Sequence, residues 1–179
     1  MACFSDSPIF DTNKVQYYTQ KKMWENIQHL IPKDKVIFEA FLLNSKSKSK
    51  SYWEELGYKV VGNDKLDFLN DELPEFDIVC SNPPFKRDIK TKILKKLVEL
   101  DKPFIIVINI MNIFSKYFRE IFKNKFEDLQ IIKPVGKIVF EEYDEETDTL
   151  KKCGDPAFYN CYLSYKMNIP EKDLWLKIN

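Results

Sequence analysis

The sequence predicts an α/β fold with a doubly wound, mostly parallel sheet that ends in an antiparallel pair of strands. Two observations support this. Short apolar runs typical of buried strands alternate with segments of helical periodicity, and the last strands follow one another without a strong helix between them. The length of 179 residues predicts a single domain over residues 1–179, with no separate recognition domain.

Helix and strand signals alternate through the first half of the chain. After an irregular lead-in over residues 1–16, Met23, Ile27 and Leu30 recur at helical spacing and Pro32 stops the pattern. We therefore predict helices at Lys22–Leu30, with Thr19 as N-cap, and at Tyr52–Leu56, closed by Gly57, and strands at Val36–Phe41, Tyr58–Val61 and Phe76–Cys80.

The second half has the strongest strand signal, the apolar run Phe104–Ile108. Ile93, Leu94 and Leu97 predict the inner face of a helix that precedes it, from about Lys90 to Leu100. The remaining predictions are a helix through Phe114, Phe118 and Phe122, closing strands at Leu129–Ile132, Lys137–Phe140 and Tyr159–Tyr165, and a mobile acidic loop over Glu141–Asp148.

The most informative segment is the exit from the strand that ends at Cys80, where the chain continues as Ser81-Asn82-Pro83-Pro84-Phe85. Two consecutive prolines cannot continue a central strand, because they donate no ladder hydrogen bond and fix φ. The chain must leave the sheet there in a stiff turn. In an open α/β sheet, the carboxyl end of a strand is where ligands bind.

Such a turn would hold the Asn82 amide, the Pro83 carbonyl and the Phe85 ring in fixed relation. The exocyclic amine of a nucleobase is a poor nucleophile because its lone pair is delocalised into the ring. Two acceptors on its N–H groups would free that lone pair and stabilise the positive charge that develops on nitrogen, while an aromatic face would stack on a flipped base. The alternative is an ordinary strand exit that the prolines merely terminate.

Asn82-Pro83-Pro84-Phe85 resembles the Asn/Asp-Pro-Pro-aromatic motif of the S-adenosylmethionine-dependent amino-methyltransferases, and the resemblance extends over residues of about 13 to 165. It implies a Rossmann-like fold, S-adenosyl-L-methionine as cofactor, and a catalytic corner formed by these four residues. Asn at the first position and Phe at the fourth favour adenine N6 as the acceptor. RNA or accessible single-stranded DNA is then the expected substrate.

The resemblance also implies a set of cofactor-binding residues. Glu39-Ala40-Phe41 looks like the family's Glu-Pro-Phe, and Tyr17-Tyr18-Thr19-Gln20 looks like an element that closes over the methionine moiety. Asp64 would accept from the ribose hydroxyls, whereas Asp67-Phe68 resembles an Asp-Phe element for the adenine. The alternatives are a turn aspartate for Asp64 and core aromatics for Tyr17 and Tyr18.

The chain departs from the family where glycines should follow the first strand, because Leu42-Leu43-Asn44-Ser45-Lys46 stands there instead. Glycine permits positive φ and a close approach of the backbone to a ligand. Lys46 or Lys48 would instead neutralise the cofactor carboxylate. The departure leaves two alternatives open: an inactive methyltransferase-like subunit that stabilises or guides an active partner, and a protein glutamine N5-methyltransferase.

The charge and residue composition limit the kinds of binding partner that we expect. Lys plus Arg equals Asp plus Glu, so only the local charge is informative, and Lys86 and Arg87 directly follow the motif as candidate phosphate contacts. A solvated helix face is the alternative. A lone histidine and four scattered cysteines predict no metal site. We expect nucleic acid as partner, with a protein partner or homodimer as a further option, and no membrane. The expected location is intracellular: the cytoplasm, or a nucleus or viral factory.

Overall fold

A computed structural model of the chain describes residues 17–42, 44–144, 146–153, 159–170 and 174–177, the last of these by backbone alone. The irregular lead-in predicted for residues 1–16 lies outside this part. The strands are β1 (Tyr18–Thr19), β2 (Val36–Phe38), β3 (Lys59–Val61), β4 (Ile78–Ser81), β5 (Phe104–Asn109), β6 (Leu129–Val135), β7 (Phe140–Asp144), β8 (Thr149–Lys152), β9 (Asn160–Tyr165) and β10 (Leu174–Lys177). The α-helices are α1 (Lys21–Ile27), α2 (Ser49–Glu55), α3 (Arg87–Leu100) and α4 (Lys116–Ile121), and short 3₁₀ segments cover Gln28–Leu30, Ile110–Phe114 and Phe126–Asp128.

Seven of these strands form the central sheet, in the order β10-β6-β9-β5-β4-β2-β3. The four strands β3, β2, β4 and β5 run parallel, whereas β9 is antiparallel to both of its neighbours, β5 and β6. The predicted fold class is therefore confirmed: a Rossmann-like, mostly parallel sheet with antiparallel pairing near its C-terminal end.

Alternate residues of the central strands face two separate cores, one on each face of the sheet. On β5, Ile105 and Val107 join a cluster with α1 and α2, whereas Phe104 and Ile106 join a cluster with α3 and α4. A strand covered by helices on both faces has to be apolar along its whole length. This explains why Phe104–Asn109 reads as a continuous apolar run up to its last residue.

The strand order reverses direction between β2 and β4. From β2 the chain moves outward to β3 on one side, whereas β4 and β5 lie on the other side. The carboxyl ends of all four parallel strands meet at one edge of the sheet, and the reversal point of such an edge is where crevices for ligands form. Glu39 follows β2 and Asn82 follows β4, so both lie at this point.

A second, three-stranded sheet of order β1-β7-β8 corrects the sequence prediction for the acidic segment. Residues 137–139 are not a strand, and the first half of the expected mobile loop, residues 141–144, belongs to β7, which pairs with β8 directly after the loop. Opposite charges explain the pairing, because Glu141 faces Lys152 and Glu142 faces Lys151 across the antiparallel ladder. Phe140 is fully buried, which fixes the register at the start of β7.

Several helix boundaries also differ from the prediction. Thr19 belongs to β1, and Gln20 is the N-cap of α1. Helix α2 begins at Ser49 and α3 at Arg87, both three residues earlier than expected, because polar side chains without apolar periodicity occupy those first turns. Phe114 lies outside α4 and is exposed, since the chain first forms a 3₁₀ turn after β5.

Candidate functional site

The turn after β4 presents an acceptor that the protein itself leaves unused. The side chain of Asn82 is half-buried, and its Nδ2 donates to the backbone oxygen of Tyr17 at 3.3 Å. Its Oδ1 is buried and accepts no hydrogen bond. No hydrogen bond from the described residues reaches the carbonyl oxygen of Pro83 either. A buried oxygen without a donor costs free energy unless a ligand supplies one, so this turn favours binding of an N–H or O–H donor.

Prolines and aromatics hold the turn in place. Pro83 is buried and Pro84 half-buried. The ring of Phe85 makes edge-on contacts with Tyr17 and Phe140, at centroid distances of 6.0 and 5.9 Å. Because Phe140 begins β7 and Tyr17 precedes β1, the small second sheet braces the turn.

On the outer side of the turn lies a cleft of about 580 Å³, a volume typical of ligand sites. Its wall combines Tyr17 and Phe85 with residues from the start of α3 and from the end of β5 onward: Arg87, Lys90, Asn109, Met111, Asn112, Ser115, Lys116 and Tyr117. The carboxyl end of β5 is next to that of β4, so the parallel sheet brings these distant segments together. The cleft offers an aromatic ring, carboxamides and cations.

The two basic residues that the sequence singled out differ in their placement. Lys86 and Arg87 are both exposed at the start of α3, but only Arg87 lines the cleft. Its guanidinium carbon lies 5.6 Å from the centre of the Tyr117 ring, a cation–π distance. Arg87 thus borders the cleft beside an aromatic ring, whereas Lys86 is positioned outside it.

On the inner side of the turn, Glu39 is a buried carboxyl group with three hydrogen-bond donors. Its oxygens accept from the hydroxyls of Ser49 and Ser81, and weakly from the backbone N–H of Phe41 at 3.4 Å. Burial raises the pKa of Glu39 to about 7, and the hydroxyl bonds only partly oppose that shift. Ser81 is fully buried at the end of β4, so its hydroxyl has no contact with solvent.

A cavity of only about 20 Å³ separates Glu39 from Asn82, which is room for about one water molecule. Thr19 and Phe41 also line it, and the hydroxyl oxygen of Thr19 is buried without a hydrogen-bond partner. Ala40, which lies between Glu39 and Phe41 in the sequence, is also buried. Two unpartnered polar atoms and a carboxyl group therefore surround a space too small for more than one small molecule.

A separate cavity of about 310 Å³ lies at the carboxyl ends of β2 and β3. Half-buried Asp64 lines it, together with Leu42, Asn44 and Lys50. Gly62 borders the same cavity at a φ of +115°, and a Cβ there would lie 2.3 Å from the backbone oxygen of Glu39. Only glycine allows the strand end to approach the Glu39 backbone this closely.

The side chains of Asp67 and Phe68 already make contacts within the protein. The Asp67 carboxylate accepts from the backbone N–H of Leu69 at 2.9 Å and from Asn70 Nδ2 at 2.7 Å, so it caps a tight turn. Phe68 is fully buried and packs against Phe41, with a centroid distance of 5.1 Å. A contact of either residue with an adenine ring stays a prediction.

The loop that replaces the expected glycines is tied to the second sheet. Lys46 forms an ion pair with Asp148, and its Nζ lies 4.6 Å from the centre of the Tyr143 ring. Asn44 Nδ2 donates to the Tyr18 hydroxyl at 3.1 Å. Loop and hairpin thus close together over the inner side of the site.

Comparisons of the sequence with known families and curated proteins identify no relative: no protein-family model matches the chain, and no curated protein matches it. Among solved structures, the crystal structure of TehB from Haemophilus influenzae is similar, with a TM-score of 0.46 and 14% sequence identity. The match covers 82% of this chain and 62% of the TehB chain. Likeness at this level assigns no activity, so the fold class rests on the strand order described above.

Several residues of the cleft were not predicted from the sequence. Asn109 ends β5, Asn112 and Tyr117 follow it, and nothing in their spacing distinguishes them from a polar connection. The one available signal was their position after a strong central strand. Among the described residues, no group of three or more His, Cys, Asp or Glu side chains is placed to hold a metal ion. None of the helices in the described ranges is long and apolar enough to cross a bilayer.

Proposed function

We propose that this chain is an S-adenosylmethionine-dependent methyltransferase that modifies adenine N6 in RNA or accessible single-stranded DNA. The observation that carries the proposal is the buried Asn82 Oδ1 without a donor, fixed at the strand exit beside the inner cavity, in the same turn whose Phe85 lines the outer cleft. Together with the Pro83 carbonyl it offers two acceptors to one amino group. Acceptors that are aimed at developing positive charge before the reaction begins accelerate that reaction.

The residues on the inner side fit the cofactor. The Glu39 carboxyl and the unpartnered Thr19 hydroxyl would hold its amino-acid end, and Asp64 would accept from its ribose hydroxyls. When bound, this cofactor supplies an electrophilic methyl group on a sulfonium centre. A cavity of about 20 Å³ is too small for it, so the segment after β2 must move away from the turn on binding.

The outer side fits a nucleobase. Phe85 lines the cleft beside Asn109 and Asn112. The side-chain oxygens of these two residues already accept from the Met111 N–H and the Tyr117 hydroxyl, so they would meet a flipped base through their amide N–H groups. The chain's own residues would take these roles: Asn82 and Pro83 accept from the amino group, Phe85 and Pro84 shape the pocket, and Arg87 neutralises a phosphate. The proton released from the amino group after transfer would leave through the open cleft.

A second candidate is an inactive methyltransferase-like subunit that stabilises or guides an active partner. The observation that favours it is the closed inner side, where Lys46 is bound to Asp148 and no glycine follows β2. An inactive subunit has no need to open this cavity. The two candidates therefore differ in one measurable property, the affinity for the cofactor.

Isothermal titration calorimetry with S-adenosylmethionine tests the cofactor side directly. Saturable binding supports the enzyme, and the absence of heat at millimolar ligand supports the inactive subunit. Transfer of a labelled methyl group is then measured with oligoadenylate RNA, single-stranded DNA and a protein extract. Label in N6-methyladenine is the expected result. Label in protein glutamine, or no label at all, would contradict the proposal.

A further inference from the structure

Lys90 is a buried cation without a counter-charge in the wall of the outer cleft. The residue is 6% exposed, and its Nζ donates to the backbone oxygen of Phe85 at 3.2 Å. Among the residues that the structure describes, no carboxylate forms an ion pair with it within 4.0 Å. Burial without a partner lowers the pKa of Lys90 below its ordinary value.

A buried lysine of this kind is costly to the folded protein. Charged side chains inside proteins are normally paired, because desolvation of an isolated ammonium is expensive. Among the described residues, the Lys90 ammonium has one acceptor, a backbone oxygen, for its three N–H groups, so two of them remain for a ligand. Most other lysines of α3 differ, since Lys92 and Lys95 are exposed to solvent on the same helix.

The surroundings of Lys90 indicate the charge of that ligand. Arg87 and Lys116 line the same cleft, so it carries three cations, and none of the described residues that line it is acidic. The cation of Lys116 is only loosely engaged, at 3.8 Å from Glu120. A cleft with three cations and an unpaired buried ammonium selects an anion.

We propose that Lys90 binds the phosphate group adjacent to the target nucleotide, with Arg87 and Lys116 at the rim of the same anion site. The proposal rests on the proposed function for the identity of the anion, a phosphodiester of single-stranded nucleic acid. Lys90 contacts the backbone oxygen of Phe85, so a phosphate there lies next to the catalytic turn. The site would therefore fix the register of the strand, because phosphate contacts position a nucleic acid without specifying its sequence.

The test compares Lys90→Met with Lys92→Met in binding to a short fluorescent oligoadenylate, without cofactor. Lys90→Met should weaken binding roughly tenfold and lower the slope of log affinity against log salt by about one. Lys92→Met should bind like the wild-type protein. Lys90→Met should melt no lower than wild type, because an apolar chain replaces an unpaired charge. Equal effects of both variants would overturn the inference.

A neutral methylphosphonate at each linkage in turn provides a second measurement that needs no variant. A methylphosphonate at the linkage beside the target adenosine should lower the affinity of the wild-type protein about tenfold. The same replacement should not lower the affinity of Lys90→Met any further. Adenosine 5′-monophosphate as competitor shows whether a free phosphate monoester suffices; competition as strong as that of the oligonucleotide would contradict a phosphodiester site. Methyl transfer without Lys90-dependent binding would overturn this inference alone, and Lys90-dependent binding without methyl transfer would overturn the proposed function alone.

Discussion

The turn Asn82–Phe85 separates two regions with opposite properties. On the inner side, Glu39, Thr19 and Asn82 surround a cavity of about 20 Å³, and their polar atoms are buried. On the outer side, the same turn borders a cleft of about 580 Å³. The closed region holds a carboxyl group and unpaired oxygens, whereas the open region holds cations and carboxamides.

The difference shows how one turn can serve two ligands of opposite charge. The inner side favours hydrogen-bond donors, because Asn82 Oδ1 is an acceptor and the Thr19 hydroxyl can accept as well as donate. The outer side attracts an anion, because Arg87, Lys90 and Lys116 converge there. Asn82 lines the inner cavity and Phe85 of the same turn lines the outer cleft, so a change at Asn82 should affect chemistry more than either binding event.

The largest expected effect is that of Asn82→Ala on methyl transfer. Loss of a preorganised acceptor should lower the rate constant about 100- to 1,000-fold. The free energy of unfolding should change by no more than about 1 kcal/mol, because Oδ1 has no partner to lose and Nδ2 makes a single long bond. Single-turnover kinetics and urea unfolding measure both quantities. Asn124→Ala, at an exposed position, is the control, and equal rates in the two variants would remove Asn82 from catalysis.

Gly62→Ala should lower the stability of the inner region. Both Gly62 and Gly136 have positive φ, but only at Gly62 would a Cβ meet a backbone atom, the Glu39 oxygen at 2.3 Å. Gly136→Ala is therefore a matched control that reports backbone strain alone. Gly62→Ala should lower the free energy of unfolding by about 2 kcal/mol more than Gly136→Ala. Chemical denaturation checks this, and equal losses would mean that β3 can move away from Glu39.

The two regions also differ in how far the sequence predicts them. The strands β2, β4 and β5 and the mostly parallel sheet follow from apolar runs and alternating helices, and Asn82 stands out because its signal is local. The outer cleft was only partly predicted: Arg87 follows the motif, but Asn109 and Tyr117 reach it only through the pairing of β4 with β5. Tertiary neighbours of this kind leave no periodicity in the chain.

The cover of the inner region was predicted incorrectly for a related reason. Strand β1 has two residues, and β7 mixes acidic and aromatic residues, so neither has a strand pattern of its own. Their pairing depends on Phe140 and on lysines of β8 that lie later in the chain. The sequence showed the missing glycines, but not that Lys46 and Asp148 close the segment that replaces them.

Glu39→Gln should change how stability depends on pH. The pKa of Glu39 is about 7 in the folded protein, against an ordinary value of 4.5, so the folded state binds the proton more tightly. Its contribution is fully present below pH 4.5 and is lost as pH rises through 7, a loss of about 3 kcal/mol. The free energy of unfolding should therefore be lower at pH 8 than at pH 5 in the wild-type protein and in the exposed control Glu99→Gln. In Glu39→Gln this difference should be absent. A loss of the same size in Glu39→Gln would assign the titration to another group.

The smallest expected effect is that of Asp148→Asn on the closure of the inner region. Asn tolerates the positive φ of Asp148 and still accepts from Tyr143, so the change removes mainly the charge that holds Lys46. Exposed ion pairs are weak, so cofactor affinity should rise by no more than about fivefold, through an easier opening of the closed state. Calorimetry measures this, and oligonucleotide affinity should stay constant because the outer cleft is untouched. Asp144→Asn breaks an ion pair within the same hairpin, to Lys151, and is the matched control. A gain in both variants would attribute the effect to loosening of the hairpin, and no gain in either would mean that the cofactor enters without separating Lys46 from Asp148.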